Sequence, residues 1–441
     1  MPNSSLLTVL ARSLLAGEQD VANVVARIKQ ALGKRGLPGI ARRYIAAFAG
    51  KTRPRLSDVK RFVLSDPGWL QARSAKKVAI QRWLSEPQAM QPVAAARDWQ
   101  RPSITSLGEL ATWLRLTPGE LAWFANPFAD PLHRNRRRGD SPLHHYTYTV
   151  LPKRSGGIRL LESPKQHLKL LQRQILNEIL NNIPSHPAAH GFVRGRSIRT
   201  FTAPHAHQAV VLRMDIQDFF PSIVTARVQA FFRTAGYPDA VATALAGICT
   251  NSVPASVWTP HRLTLGVEQT FDLRKLYARR HLPQGSPASP ALANLCAYRL
   301  DCRLAGLAQA AGATYTRYAD DLAFSGGEEF ARNPQPFADR VAAILLEEGF
   351  HAHYRKTRIM RPSVRQHLAG LVVNDHPNIP RDDYDRLKAI LTNCLRHGTN
   401  SQNHKAHKDF RAHLLGRIAF VATVNPARAA KLRALFDQIS W

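Results

Sequence analysis

Two adjacent carboxylates, Asp320 and Asp321, lie within Tyr315-Thr316-Arg317-Tyr318-Ala319-Asp320-Asp321-Leu322-Ala323-Phe324-Ser325-Gly326. Residues 315–318 read as one strand and 322–325 as the next, with Ala-Asp-Asp as the turn region. Adjacent carboxylates repel each other, and burial raises the pKa of at least one of them. Divalent cations held between the pair and a third acid offset that cost, and hard oxygen donors of this kind suit Mg²⁺. The plain alternative is an exposed Asp-Asp turn, because Asp is common in turns. A third acid is at hand. The apolar run Ala209-Val210-Val211-Leu212-Arg213-Met214 reads as a buried strand that ends at Asp215, followed by the aromatic turn Phe219-Phe220-Pro221 into a helix. Taken alone, Asp215 also fits a helix cap.

Other stretches offer groups that suit phosphate and backbone recognition. Tyr146-Thr147-Tyr148-Thr149-Val150-Leu151 alternates as a strand, and a Gly156-Gly157 turn leads to a second strand, giving a hairpin that carries Lys153, Arg154 and Arg159. Such a cationic hairpin can fold over a triphosphate. The loop His190-Gly191-Phe192-Val193-Arg194-Gly195-Arg196-Ser197 is basic and rich in donors, which fits a template backbone contact. His281-Leu282-Pro283-Gln284-Gly285-Ser286-Pro287-Ala288-Ser289-Pro290 is a rigid loop in which Gly285 permits close approach of a ligand. Residues 353–360 read as a basic strand containing Lys356, and 367–374 as an apolar hairpin element.

These groups need elements to hold them. Residues 1–130 read as helical, with apolar positions at helical spacing, a capped helix at 106–114 and another opened by Pro118. Trp69, Trp83, Trp99, Trp113 and Trp123 are expected as core anchors rather than stacking platforms. Residues 131–145 read as a basic linker touching phosphates. Helices are expected at 165–183, over most of 223–280, at 291–307 and at 337–348. Three more, at 382–395, 406–421 and 426–439, close the chain. No internal repeat is apparent.

The composition bounds the function. A chain of 441 residues has room for roughly two to four domains. Lys plus Arg is 61 against 31 Asp plus Glu, a formal charge of +30, whose simplest partner is a polyanion, with nucleic acid first. The basic runs of the first 130 residues fit such a surface or a solvated face. No apolar run is long enough for a membrane span, and the N-terminus lacks the basic start of a signal peptide. Cys249, Cys296, Cys302 and Cys394 are scattered and read as reduced thiols of a cytoplasmic protein. The histidines show no zinc spacing.

The order of elements, a strand-borne Asp215, then Gln284-Gly285-Ser286-Pro287-Ala288-Ser289-Pro290, then Tyr318-Ala319-Asp320-Asp321, a strand near Lys356 and a Leu368-Ala369-Gly370-Leu371 hairpin, resembles the reverse transcriptase family. Within it, the chain looks most like bacterial retron-type enzymes. The resemblance covers 146 to about 375 and implies an α+β right-hand polymerase fold of fingers, palm and thumb, preceded by an all-α N-terminal domain. Fingers and palm would occupy 146–375 and a helical thumb 376–441. Residue by residue, it implies that Asp215, Asp320 and Asp321 are catalytic and bind two Mg²⁺ ions. Lys153 and Arg159 would grip the triphosphate, Gln284 and Gly285 would lie under the base pair, Phe220 would be the sugar gate, and Lys356 would lie near the nucleotide. Arg194, Arg196, His205, Leu368, Gly370 and Leu371 would serve primer and template. Where many retron enzymes have Asn-Ala-x-x-His and Val-Thr-Gly, this chain has Phe201-Thr202-Ala203-Pro204-His205 and Leu368-Ala369-Gly370.

The implied reaction is RNA-directed DNA synthesis by in-line attack on the α-phosphorus of deoxynucleoside triphosphates. A structured noncoding RNA would be both template and 2′-hydroxyl primer, in an antiphage role with an effector protein and no membrane. The competing readings are another defence-associated or group II intron-like reverse transcriptase, and a catalytically silent RNA-binding scaffold. Residues 376–441 leave room for a thumb but not for maturase and endonuclease domains as well, which disfavours the intron reading. A silent scaffold has no need of three costly carboxylates.

Overall fold

Apolar residues at helical spacing account for the first part of the chain. The computed structural model describes residues 4–16, 19–33, 37–49, 54, 56–74, 78–82, 90–125, 145–152, 158–258 and 267–441. Early in the chain lie the helices Ser4–Leu15, Val21–Leu32, Pro38–Ala47, Leu56–Ser65 and Pro67–Ser74. They bury Leu10, Leu14, Val24, Ile28, Ile40, Tyr44, Val59, Val63 and Trp69 in one cluster. Asp66 fastens that cluster, accepting from Trp69 N–H at 3.0 Å and from Arg43 Nε at 2.7 Å. The expected cap is present, with Ser106 accepting from Glu109 N–H, and Pro118 opens the next helix, which Thr117 and Glu120 start with a capping box. No strand precedes Tyr146 among the described residues.

The chain divides into two compact units, Met1–Pro184 with Phe220–Cys296 and Ser185–Phe219 with Ala297–Trp441. The first unit holds, besides its N-terminal helices, the antiparallel pair β1 (Tyr146–Pro152) and β2 (Ile158–Pro164), in register from Tyr146 opposite Pro164 to Pro152 opposite Ile158. The helices Gln166–Glu178, Thr225–Thr234, Asp239–Cys249, Val267–Ala278 and Ser289–Cys296 complete it. The tryptophans there divide. Trp69 is fully buried, Trp99 stacks on Phe231, half-buried Trp113 donates to Glu178 at 2.9 Å, and Trp123 is exposed. Trp83 and the linker residues 131–144 lie outside the described residues.

The second unit is built on β3 (Val210–Gln217). β4 (Ala313–Tyr318) and β5 (Asp321–Gly326) form the expected hairpin, and β5 pairs with β3. Two short strands, β6 (His351–Ala352) and β7 (Arg358–Met360), take the other edge of β3, giving the antiparallel order β4-β5-β3-β6 with β7 also on β3. Helices Tyr298–Ala310 and Pro334–Glu347 pack on this sheet. The hairpin of β8 (His367–Leu368) and β9 (Leu371–Val372) precedes three helices, Arg381–His397, Phe410–Val424 and Pro426–Phe436. Leu371, Ile379, Leu391, Leu414, Ile418, Leu432 and Phe436 share their core.

Two expected elements differ. The helix expected at 291–307 is broken at Ala297 (φ −89°, ψ 1°), and the boundary between the units falls there. The strand expected at 353–360 begins instead with a 3₁₀ turn, Tyr354–Lys356. Basic side chains at successive positions do not reveal that turn, which brings the Lys356 amine back onto Asp215.

Candidate active site

The register of three strands gathers the acids. Asp215 on β3 stands directly opposite Asp321 on β5, and Asp320 occupies the turn that joins β4 to β5. Ile216 N–H donates to Asp320 O at 2.8 Å, which ties the turn to the strand bearing Asp215. Ala319 takes the left-handed conformation, φ +57°. Gly191 backs this turn so closely that a Cβ there would lie 2.6 Å from Ala319 N. The same loop extends the sheet edge: His190 N–H donates to Arg317 O, and Arg317 N–H to Ala188 O, both at 2.7 Å.

Like charges opposed across strands are destabilising, so cations are needed. Lys356 Nζ reaches both Asp215 oxygens, at 3.0 and 2.9 Å. Arg213, on the same strand as Asp215, donates from Nε and Nη2 to one oxygen of Asp321, at 2.9 and 2.7 Å. Asp320 bears the residual cost. Burial first, then the charges of Asp215 and Asp321, push its carboxyl up to about 6.

A sealed layer supports the turn from behind. Arg317 forms a two-pronged pair with Asp301, at 2.7 and 2.6 Å, and neither side chain is exposed. Tyr315 donates to the same carboxylate at 2.8 Å, and Arg317 Nη1 donates to Ala319 O at 3.1 Å. The Phe219 ring lies under the guanidinium at 5.7 Å. Asp301 and Arg317 were not singled out from sequence. The available signal was an arginine sharing the inward face of a strand with Tyr315.

Several expected site residues take other places. His205 is fully buried between Ser325 Oγ and Thr316 Oγ1, both at 2.7 Å, and burial lowers its pKa to about 3. It is a neutral brace behind β4 and β5, not a primer or template contact. Leu368 and Leu371 have no exposed surface. Between them Ala369 and Gly370 turn at φ +46° and +88°, so this hairpin presents backbone and not leucine side chains. Arg196 donates to the carbonyls of Pro187 and Ala189 and braces its own loop, whereas Arg194 is exposed.

Arg159, Phe220, Gln284 and Gly285 belong to the first unit. Arg159 is exposed on β2, and Phe220 is half-buried in the turn Phe219–Ser222. Gln284 O accepts from Glu162 N–H at 2.8 Å. Lys153 lies outside the described residues.

Among the described residues, no three His, Cys, Asp or Glu side chains stand in metal-coordinating geometry. In this conformation the amine of Lys356 and the guanidinium of Arg213 hold two of the three acids. The donor set still fits hard divalent cations: three carboxylates at one end of paired strands, one of them costly to ionise without added positive charge. Four cysteines are free, and no described helix is long and apolar enough to cross a membrane.

Comparison with known proteins agrees with this geometry. The family described as "Reverse transcriptase (RNA-dependent DNA polymerase)" matches residues 151–373, just over half of the chain. The chain is 41% identical over 312 residues to the Retron Mx65 reverse transcriptase of Myxococcus xanthus, covering 68% of this chain and 65% of that protein. It is 35% identical over 353 residues to the Retron Mx162 reverse transcriptase of the same organism, covering 76% and 67%. The Retron Ec86 reverse transcriptase of Escherichia coli is 31% identical over 235 residues, covering 53% and 64%. The chain thus spans about two thirds of the length of these curated relatives. The match across 151–373, which contains all three acids, places the chain in the reverse transcriptase family, among its bacterial retron-type members.

Proposed function

We propose that this chain is an RNA-directed DNA polymerase of the retron type, with a right-hand fold in which the second unit supplies palm and thumb. One observation carries the reading: the register that sets Asp215 opposite Asp321, with Asp320 in the adjoining turn. Asp215, Asp320 and Asp321 would hold divalent cations, Mg²⁺ by the hardness of their donors. When bound, such ions supply charge neutralisation for the triphosphate and lower the pKa of the attacking hydroxyl.

The chain's own groups do the positioning. Lys356 holds positive charge against Asp215 in this conformation, and its amine, 44% exposed at the side chain, is free to turn to an arriving phosphate. Arg159 and Lys153 grip the triphosphate. Gln284 and Gly285 support the templating pair, and the Phe220 ring excludes a ribose 2′-hydroxyl. Arg194 and the backbone at Gly370 contact template and primer. The partners are a structured noncoding RNA, its DNA product and an effector protein, in cytoplasmic antiphage defence.

Asp320→Asn and Asp321→Asn should each lower Mg²⁺-dependent primer extension by about 10³-fold or more, while RNA affinity stays near wild type. Wild-type extension by either variant overturns the assignment. Priming has its own test. DNA isolated with the protein should be released from RNA by a 2′–5′ debranching enzyme. A linear product or an ordinary 3′–5′ junction would instead favour a non-retron defence enzyme.

A further inference from the structure

In the first unit, β2 and the loop bearing Gln284 and Gly285 are joined twice, once through backbone and once through buried charge. Gly285 adopts φ +136° and approaches β2 so closely that a Cβ there would lie 2.8 Å from Glu162 O. This adds to the Glu162 N–H bond to Gln284 O. The strand alternates, so Arg159 faces out while Ile158, Leu160 and Glu162 face in. A carboxylate is thereby carried to the buried side of an exposed cationic strand.

Glu162 and His281 have no exposed side-chain surface. Glu162 Oε1 lies 2.9 Å from His281 Nε2, and Oε2 accepts from Asn251 Nδ2 at 2.7 Å. The other ring nitrogen of His281, Nδ1, faces Arg279 O at 2.6 Å. A neutral imidazole has one donor and one acceptor nitrogen. Both nitrogens here oppose oxygen acceptors, which calls for the doubly protonated ring beside a carboxylate. Asn251 and His281 also exchange backbone bonds at 2.8 and 2.9 Å, and Asn251 Nδ2 reaches Tyr148 OH at 3.1 Å. Other neighbours are the Tyr277 ring, 5.1 Å from that of His281, the buried Tyr146 phenol, whose ionisation Glu162 disfavours, and the Arg280 guanidinium, which donates to Gly247 O and Thr250 O. Burial and Arg280 work against the charge on His281, but Glu162 and the Arg279 carbonyl outweigh them and raise its pKa.

We propose that Glu162 and His281 form a positioning pair that locks the Gln284–Gly285 loop against the strand of Arg159, and so sets affinity for the incoming deoxynucleoside triphosphate. The inference rests on the nucleotide role assigned above to Arg159, Gln284 and Gly285. Neither member of the pair is a catalytic residue, because both are sealed from any substrate. Their effect passes through the loop that they hold, where a displacement of about 1 Å is enough to cost up to about 10²-fold.

The test is single-nucleotide insertion by the full-length protein on a fixed RNA template–primer, at varied deoxynucleoside triphosphate, for Arg159→Ala, Glu162→Gln, His281→Gln and the double variant of the pair. Template–primer affinity and Tm are measured alongside. Each pair variant should raise the nucleotide KM by about tenfold or more, with kcat within about threefold of wild type. The double variant should be no worse than either single one, because each removes the same interaction. The wild-type KM should rise as pH passes upward through the His281 pKa, since the charged pair is complete below it, and Glu162→Gln should flatten that rise. If Arg159→Ala raises KM while the pair variants leave it unchanged, or lower only kcat, the positioning role is wrong and the nucleotide site stands. If Arg159→Ala itself leaves KM unchanged, the nucleotide site is wrong. Should Glu162→Gln not fold, Asn251→Ala removes the side-chain hydrogen bonds to Glu162 and Tyr148 and leaves the ion pair. It should raise KM about 2–10-fold by loosening Glu162, and an unchanged KM here together with an unchanged KM for His281→Gln then overturns the proposal.

Discussion

Carboxylates in this chain are balanced in two ways. Glu162 with His281 and Asp301 with Arg317 are closed, with no side-chain exposure on either partner. Asp215 with Lys356 and Asp321 with Arg213 are open, their cations 44% and 28% exposed. A closed pair forfeits hydration on both charges and tolerates no loss of a partner, whereas an open pair costs little to rearrange. Two of the acids assigned to chemistry, Asp215 and Asp321, have exchangeable partners, and the buried carboxylates Glu162 and Asp301 do not. A site that must admit phosphate and metal needs the first kind, and a frame that must not shift needs the second.

Breaking one pair of each kind gives the largest contrast. Arg317→Met should cost about 3–5 kcal/mol in denaturant unfolding, because Asp301 is left charged and buried. Arg213→Met should cost under about 1 kcal/mol. Equal losses would erase the distinction. A smaller effect of opposite sign sharpens it. The Asp320 pKa is about 6 in the fold against 3.8 ordinarily, so its ionised form costs stability. That cost is absent below about pH 4 and complete above about pH 7. Asp320→Asn should therefore raise stability near pH 7.5 by up to about 3 kcal/mol and leave it unchanged near pH 3.5, even as it removes activity. A variant no more stable than wild type at the higher pH would show that neither burial nor the neighbouring acids make ionised Asp320 costly.

The smallest effect extends the contrast to uncharged neighbours. Phe219 is 4% exposed and packs on Phe350 at 5.7 Å, while Phe220 is half-buried. Phe220→Ala should shift ribonucleotide over deoxyribonucleotide insertion by about 10–200-fold, the worth of about 1–3 kcal/mol. Phe219→Ala should lower stability or overall rate and leave the ratio alone. A changed ratio confined to Phe219→Ala would exchange their roles.

What the sequence reveals follows the same division. The hairpin of β4 and β5 and the strand bearing Asp215 are legible because alternation and turn residues are local. The three acids stand out because carboxylates at strand ends are costly without a purpose. The closed pairs are illegible because their members are joined only by folding: His281 and Glu162 are 119 residues apart. His205 is illegible for a related reason. A histidine has two roles, polar surface or satisfied core, and only the hydroxyls of Ser325 and Thr316 decide between them. Lys356 is legible, but the turn that aims it is not, since nothing in a run of basic residues distinguishes strand from 3₁₀ turn.

Gly191 bears on how this enzyme can be altered. Where Gly191 meets the acidic turn it faces the peptide backbone of Tyr318 and Ala319, and position 191 has no side chain to trim. A library that varies position 191 can only push the turn outward, moving Asp320 and Asp321 together. Diversity meant to retune the polymerase belongs on the solvent side of the acids, at Arg213 and Lys356, where existing atoms can be removed without any new atom being forced in.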